Sequence, residues 1–408
     1  MTAISLTDPR SVAPSADTGR LRVALFTDTF VPQFNGVART LSRVVDALRN
    51  RDVAVRVYTT TDPRSFPVPN VKRVASVPFW AYPELRLALP IAGSLSRDVA
   101  DWGANVVHIA TPFGVGCAGR TIARTLGVPL LTSYHTSLAA YAPLYGLGAL
   151  SEPGWHYLRW FHNGGAATLA PTAAIAADLR VRGFRRVAVW GRGVDPSTFN
   201  PHWRSDALRR ELGVGDDGVL VGYVGRLAKE KRVDVLLDAI DLARPRLENV
   251  VFAVVGDGPQ AQYYRTRASN DTRFLGRLDG SALSAFYASC DMLVFPSDTD
   301  TFGNVLLEGM ASGLAIVAAD TPVTREVLAG GQAGAFYPAA DSAELAARIV
   351  ALTCAASARR ELGRLALAEA RRRTWDRVFD SLLESYVHVT RRSRRLHAAQ
   401  RVPASTSR

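Results

Sequence analysis

The chain has 408 residues, 48% of them hydrophobic, enough for a globular protein of two ordinary domains. Its net charge of +12 is carried almost wholly by arginine, because Lys72, Lys229 and Lys231 are the only lysines; such a skew reads as composition and leaves nucleic acid unsupported as a partner. A basic face would instead fit an anionic lipid surface.

Taken in chain order, residues 1–20 lack the apolar core of a signal peptide and are expected to be a disordered lead-in. Short apolar runs then alternate with helical stretches: "RVALFT" (22–27), "VAVRVYT" (53–59), "NVVHIA" (105–110), "PLLTSYH" (129–135), "ATLAPT" (167–172) and "RVAVWG" (186–191) read as strands. "GVARTLSRVVDALRN" and "GRTIARTLG" read as helices between them. Glycines, prolines and an Asn-Pro at 191–203 punctuate a linker. The series restarts with "GVLVGYVG" (218–225), "NVVFAVVGDG" (249–258), "MLVFPS" (292–297) and "LAIVAAD" (314–320), and a last helix near 374–391 leads into an arginine-rich tail.

Repeated strand–helix alternation implies parallel sheets covered on both faces. The fold class is therefore α/β, with two doubly wound domains facing across a cleft. The expected boundaries are 21–198 and 199–375, then a helix at 376–392 that crosses back to the first domain, then a mobile basic tail at 393–408. No run of eighteen uncharged apolar residues occurs, so no membrane span is expected. Cys117, Cys290 and Cys354 have neither disulfide nor zinc spacing and read as buried thiols of a reducing compartment, which places the chain in the cytoplasm.

In open parallel sheets ligands bind beyond the carboxyl ends of the strands, and two stretches there carry chemistry. In "SDTDTFGNVLLEGMASG" (297–313) a loop enters a helix whose first amides favour an anion. Gly303 permits close backbone approach, while Asp300 and Glu308 are placed to accept hydrogen bonds from ligand hydroxyls. In "VGYVGRLAKEKRVDVLLDAI" Gly225 ends a strand, and Arg226 and Lys231 supply a planar fork and a point charge for an anionic leaving group. Phosphate on the amides with polyols on the carboxylates describes a nucleotide-sugar. Each stretch also has a bland reading, as acids in the early turns of a soluble helix or as a solvated basic turn.

Together and in this order, these motifs resemble the retaining glycosyltransferases of family 4, which have the GT-B architecture, over nearly the whole chain. The look is nearest to sulfoquinovosyl-diacylglycerol synthases and GDP-mannose-dependent α-mannosyltransferases. The resemblance implies that Asp300 and Glu308 are the family's carboxylate pair, with Asp where Glu is usual, and that Arg226 and Lys231 hold the donor diphosphate. It further implies that Asn35 and Gly36 open a helix near those phosphates, that His135 is the histidine near the donor sugar, and that the backbone of Gly276, Arg277 and Leu278 meets the base. Gly225, Phe302, Gly303, Asn304 and Val305 complete the expected donor site. His135, Arg226 and Lys231 are the implied catalytic residues; His108, at another strand end, is a weaker candidate. No metal and no cofactor are implied, since cations and helix amides already face the diphosphate, although Asp298 and Asp300 imitate a metal-binding D-x-D.

Two other readings remain open. "GDGPQA" (256–261) matches a loose dinucleotide fingerprint with Asp279 about twenty residues on, as in an NAD-dependent oxidoreductase. A non-catalytic nucleotide-sugar-binding regulator on the same fold is the other. For the acceptor, segments 71–90 and 138–165 combine aromatic residues with arginine, a pairing suited to a lipid headgroup interface or equally to a buried helix face. The expected acceptor is a glycerolipid or glycolipid hydroxyl, used by an enzyme peripheral to the inner face of the cell membrane.

Overall fold

The computed structural model describes residues 21–400 except 34, 80–81 and 89–91. The expected lead-in at 1–20 and the end of the basic tail at 401–408 lie outside the described residues. The chain divides into two compact units: the first runs to His135 and resumes over Glu152–Gly191 and from Asp376 onward, and the second comprises Thr136–Ser151 and Arg192–Trp375. The stretch 136–151, expected with the first domain, thus packs with the second unit, where Tyr145 donates to Glu230.

The first unit holds β1 (Arg22–Phe26), β2 (Ala54–Thr60), β3 (Val71–Val74), β4 (Ser76–Phe79), β5 (Tyr82–Ala88), β6 (Val106–Ile109), β7 (Leu130–Ser133), β8 (Ala167–Ala170) and β9 (Val187–Val189). Seven of these form one parallel sheet in the order β3-β2-β1-β6-β7-β8-β9. Its central strands are buried along their length, which is why they read as continuous apolar runs with no alternation. The helix Gly36–Arg49 buries Leu41, Val44, Val45 and Leu48, a 3.6-residue stripe against the sheet.

The described residues of segment 71–90, read as suited to a lipid interface or to a packed face, fold as strands. They supply β3, the sheet's edge strand, and then the antiparallel hairpin β4–β5. The Val-x-x-Val of β3 finds its partner on β2, from Val57 opposite Val71 to Thr60 opposite Val74. The helix Ser151–Asn163 likewise buries Trp155, Leu158 and Phe161, so those three serve the core, while Trp160 stays exposed.

The second unit holds β10 (Val219–Val224), β11 (Val250–Val255), β12 (Arg273–Gly276), β13 (Met292–Phe295), β14 (Ala315–Asp320) and β15 (Ala335–Pro338), all parallel, in the order β12-β11-β10-β13-β14-β15. Both faces are covered: Leu220 and Val224 enter one apolar cluster, Val219, Val221 and Tyr223 the other. The supposed linker at 191–203 is no free tether. Val194 and Phe199 belong to the first of these clusters, and Val194 bridges to Thr374. A Cβ on Gly193 would lie 2.4 Å from the Trp375 nitrogen, so glycine there serves close packing.

The described part of the tail is helical. The last helix runs Trp375–Gln400, through the arginines expected to be mobile, because no Gly or Pro interrupts the stretch and Arg is a good helix former. No helix among the described residues is long and apolar enough to cross a membrane. All three cysteines are free thiols; Cys290 is buried, Cys117 half-buried and Cys354 exposed, the last contrary to the expected burial because it ends a surface helix.

Strand order places the sites. It reverses between β1 and β6 in one sheet and between β10 and β13 in the other. At such a switch point the loops leaving the two strands diverge and open a crevice at the carboxyl edge.

Candidate active site

In the second unit the loops leaving β10 and β13 carry most of the expected residues and are tied to each other. Lys231 Nζ binds Asp300 Oδ1, and Arg232 Nε donates to Asp298 Oδ2 at 3.2 Å. The hydroxyls of Ser297 and Thr299 donate to the Glu230 carbonyl at 3.2 and 3.1 Å. Arg226 Nη1 lies 3.5 Å from Glu230 Oε1, and Tyr145 donates its hydroxyl to Glu230 Oε2 at 2.5 Å. Burial pulls the Arg226 guanidinium below its ordinary pKa and the Glu230 carboxylate pushes it back. Arg226, Lys231 and Asp300 therefore converge on the switch point of this sheet, each cation held beside an acid. Both aspartates of the metal-like "DTD" are engaged by cationic side chains.

The loop from β13 ends at Gly303, whose φ of +79° lies in the left-handed region. A Cβ there would also meet Phe295 at 2.9 Å. The helix Asn304–Ala311 starts with no side-chain cap, so its first amides keep their affinity for an anion. Two buried side-chain oxygens at this point, Asp298 Oδ1 and Asn304 Oδ1, have no hydrogen-bond partner among the described residues. Buried oxygens of this kind call for a ligand or solvent donor. Phe302 is buried in the core and Val305, half-buried, packs against it.

Glu308, expected to accept from ligand hydroxyls, is braced against the neighbouring helix. It is 6% exposed and its Oε2 accepts the Tyr287 hydroxyl at 2.9 Å, because a residue in the second turn of this helix faces the neighbouring helix Gly280–Ser289. Gly276 ends β12 and Arg277 and Leu278 follow it, two strands from the switch point. Gly276 has a φ of +67° and its carbonyl accepts from Gly256 N at 2.8 Å; Arg277 reaches Asp279 at 3.3 Å, and Leu278 packs on the core.

The dinucleotide-like glycines have a packing reason. A Cβ on Gly256 would fall 1.8 Å from the Gly225 carbonyl oxygen, and one on Gly258 2.5 Å from that of Leu227. The loop is sewn to that leaving β10 by Leu227 N to Asp257 O and Gln260 N to Leu227 O, at 2.9 and 2.8 Å. Glycine here lets two backbones touch.

In the first unit, His135 follows β7 with its Nε2 2.8 Å from Ser133 Oγ. Asn35 caps the helix Gly36–Arg49: its Oδ1 accepts from Ala38 N at 2.8 Å and its Nδ2 donates to Thr29 Oγ1 at 2.7 Å. Asn35, Gly36 and His135 thus share the carboxyl edge of the first sheet, and the other expected residues lie on the second unit. Sequence reasoning missed Asp28, at the first sheet's own switch point. Its carboxylate accepts from Thr111 Oγ1 at 2.6 Å and Val115 N at 2.9 Å, closing the start of the helix Gly114–Leu126 from another loop. Burial pushes this carboxyl up to about 6. A lone Asp after an apolar strand was the only available signal.

The family model described as Glycosyltransferase Family 4 matches residues 34–198, and that described as Glycosyl transferases group 1 matches 218–354. A GDP-mannose-dependent alpha-mannosyltransferase of Mycolicibacterium smegmatis is 36% identical over 386 residues, spanning 93% of this chain and 100% of that protein. The chain belongs to glycosyltransferase family 4. Among other relatives of this family 4 glycosyltransferase, an alpha-monoglucosyldiacylglycerol synthase of Streptococcus pneumoniae is 27% identical over 78% of this chain and 75% of its own. The fold is GT-B, as in sucrose-phosphate synthase of Thermosynechococcus elongatus, which superposes with a TM-score of 0.75 at 18% identity over 93% of this chain and 100% of that one. Family membership replaces the oxidoreductase reading, and the packing of Gly256 and Gly258 accounts for the residues that prompted it.

Proposed function

We propose that this glycosyltransferase moves a mannosyl group from GDP-mannose to a hydroxyl of a glycerolipid or glycolipid, with retention at the anomeric carbon and without a metal ion. The carrying observation is the pair of cations, Arg226 and Lys231, beside an uncapped helix start at the switch point of the second sheet. The donor and the lipid class are supported by the two relatives above, a GDP-mannose-dependent mannosyltransferase and a glucosyldiacylglycerol synthase.

In this reading the bond from the anomeric carbon to the diphosphate oxygen breaks while the acceptor oxygen bonds to the same face. The departing phosphate oxygen takes the acceptor's proton. Arg226, Lys231 and the amides of Gly303 and Asn304 bind the diphosphate as its charge grows; losing either cation costs roughly 3–4 kcal/mol of transition-state stabilisation. His135 contacts the sugar and Asp300 its distal hydroxyls, with Asn35 and Gly36 opening a helix near the phosphates. Gly225 and the backbone of Gly276–Leu278 border the nucleoside. Glu308, held by Tyr287, accepts from hydroxyls of the donor. On the first unit, exposed Trp160 with Arg120 stacked 3.8 Å over its ring is an aromatic–cation pair of the kind that suits an anionic membrane surface.

Thermal shift in EDTA against GDP, UDP, ADP and NAD tests the donor. A nucleotide at a hundred times its Kd stabilises by about 2.7 kcal/mol. Stabilisation by GDP above the others is expected. Stabilisation by UDP alone would move the donor to a UDP-sugar, and no shift without added divalent metal would sink metal independence.

A further inference from the structure

His135 heads a row of hydrogen-bonded groups that ends in the C-terminal helix. From His135 Nε2 the row passes to Ser133 Oγ at 2.8 Å, from Ser133 Oγ to His108 Nε2 at 3.0 Å, and from His108 Nδ1 to the Tyr386 hydroxyl at 2.6 Å. Ser133, His108 and Tyr386 are buried. Trp190 sets its ring against both imidazoles, at 6.0 Å between centroids in each case, and donates its Nε1 proton to the Val378 carbonyl at 3.1 Å. The helix Trp375–Gln400 therefore holds this row at two points, Val378 and Tyr386.

Proton counting gives the row a direction. Burial drives the Tyr386 phenol far above its ordinary pKa, so it keeps its proton. Its one hydrogen-bond partner among the described residues is His108 Nδ1, which must then accept. A neutral imidazole that accepts at Nδ1 carries its proton on Nε2, and His108 donates it to Ser133 Oγ. Ser133 has one proton to give, and it goes to His135 Nε2. His135 is left with its proton on Nδ1.

We propose that Tyr386, His108 and Ser133 are positioning residues that lock His135 in its Nδ1–H tautomer. The proposal rests on the reading of His135 as a contact of the donor sugar. None of the three touches substrate; each acts through the next. The chemical sense is that of a second group behind a working histidine, which sets which nitrogen carries the proton.

The experiment is nitrogen-15 NMR of histidine-labelled full-length protein. Seven histidines make the spectrum tractable, and His135→Gln assigns the signal. In the parent, His135 shows a protonated Nδ1 and a bare Nε2. In Tyr386→Phe, which removes one hydroxyl, and in Ser133→Ala, which breaks the last link, His135 becomes a tautomer mixture. In both, kcat falls roughly ten- to hundredfold, the loss seen when the partner behind a ligating histidine is removed, while KM for the donor stays put. A parent His135 protonated on Nε2, or a tautomer unchanged in both variants, would overturn the row. The spectrum needs no turnover: a locked tautomer in a protein whose His135→Ala variant still transfers sugar would leave the row standing and defeat the catalytic reading instead.

Discussion

Lys231 and Asp300, expected respectively on the diphosphate and on the donor sugar, are bound to each other, ammonium to carboxylate, across the switch point of the second sheet. The pair is mostly buried, with side-chain exposures of 22% and 14%. A diphosphate arriving there meets a cation already half neutralised. Asp300→Asn removes that competing charge while keeping the shape. GDP is expected to bind several-fold tighter by calorimetry, a gain of up to about 1 kcal/mol, while transfer slows because the sugar loses a carboxylate. Weaker GDP binding would mean that Asp300 orients Lys231 more than it neutralises it.

Glu308 calls for a different pair of variants. Its carboxylate is buried against Tyr287, so Glu308→Ala removes that hydrogen bond at a cost of about 1–3 kcal/mol, plus a cavity. Glu308→Gln keeps an oxygen toward Tyr287. The alanine variant should melt several degrees lower and the glutamine variant close to the parent, by calorimetry. Equal melting temperatures for all three would show that this hydrogen bond contributes nothing to the fold.

Asp28 makes stability depend on pH. Its carboxyl sits at about 6 in the fold, against about 3.9 unfolded, so between those values the native state binds the extra proton. The stability from that proton is complete below about pH 4 and is lost as pH rises through 6, on the order of 2–3 kcal/mol. Asp28→Asn keeps an acceptor for Val115 and has no such proton to lose. The melting temperature of the variant relative to the parent should therefore climb between pH 4 and pH 7. A constant difference across that range would contradict the assignment.

Gly256→Ala tests the packing account of "GDGP". The new methyl meets the Gly225 carbonyl oxygen, with φ at +145°. Overpacking alone costs about 1–3 kcal/mol, and a backbone contact cannot yield as a side chain does. Marked destabilisation in a thermal melt is expected, with no response to NAD in the parent. A variant as stable as the parent would return that loop to a ligand role.

Much of the architecture was legible because it is written in local pattern. Apolar runs such as "VLVGYV" are long enough to fill a strand buried on both faces, and Gly225, Arg226 and Lys231 mark the loop that follows. The rest depends on partners far away in sequence. Nothing near Glu308 announces Tyr287, and nothing in "VVHIA" announces Tyr386, 278 residues on. The hairpin β4–β5 hid because its aromatic and arginine residues fit a lipid surface as well as a strand pair. The helical tail hid because a run of charge marks no helix end; only helix breakers would have stopped the helix.

The most direct test of the central claim is a transfer assay in EDTA, with GDP-mannose and a membrane lipid extract, reading the anomeric configuration of the product by NMR. The expected result is an α-mannosyl lipid, lost in Arg226→Ala and Lys231→Ala with the fold intact. A β-linked product, or transfer that appears only when a divalent metal is restored, would contradict the account.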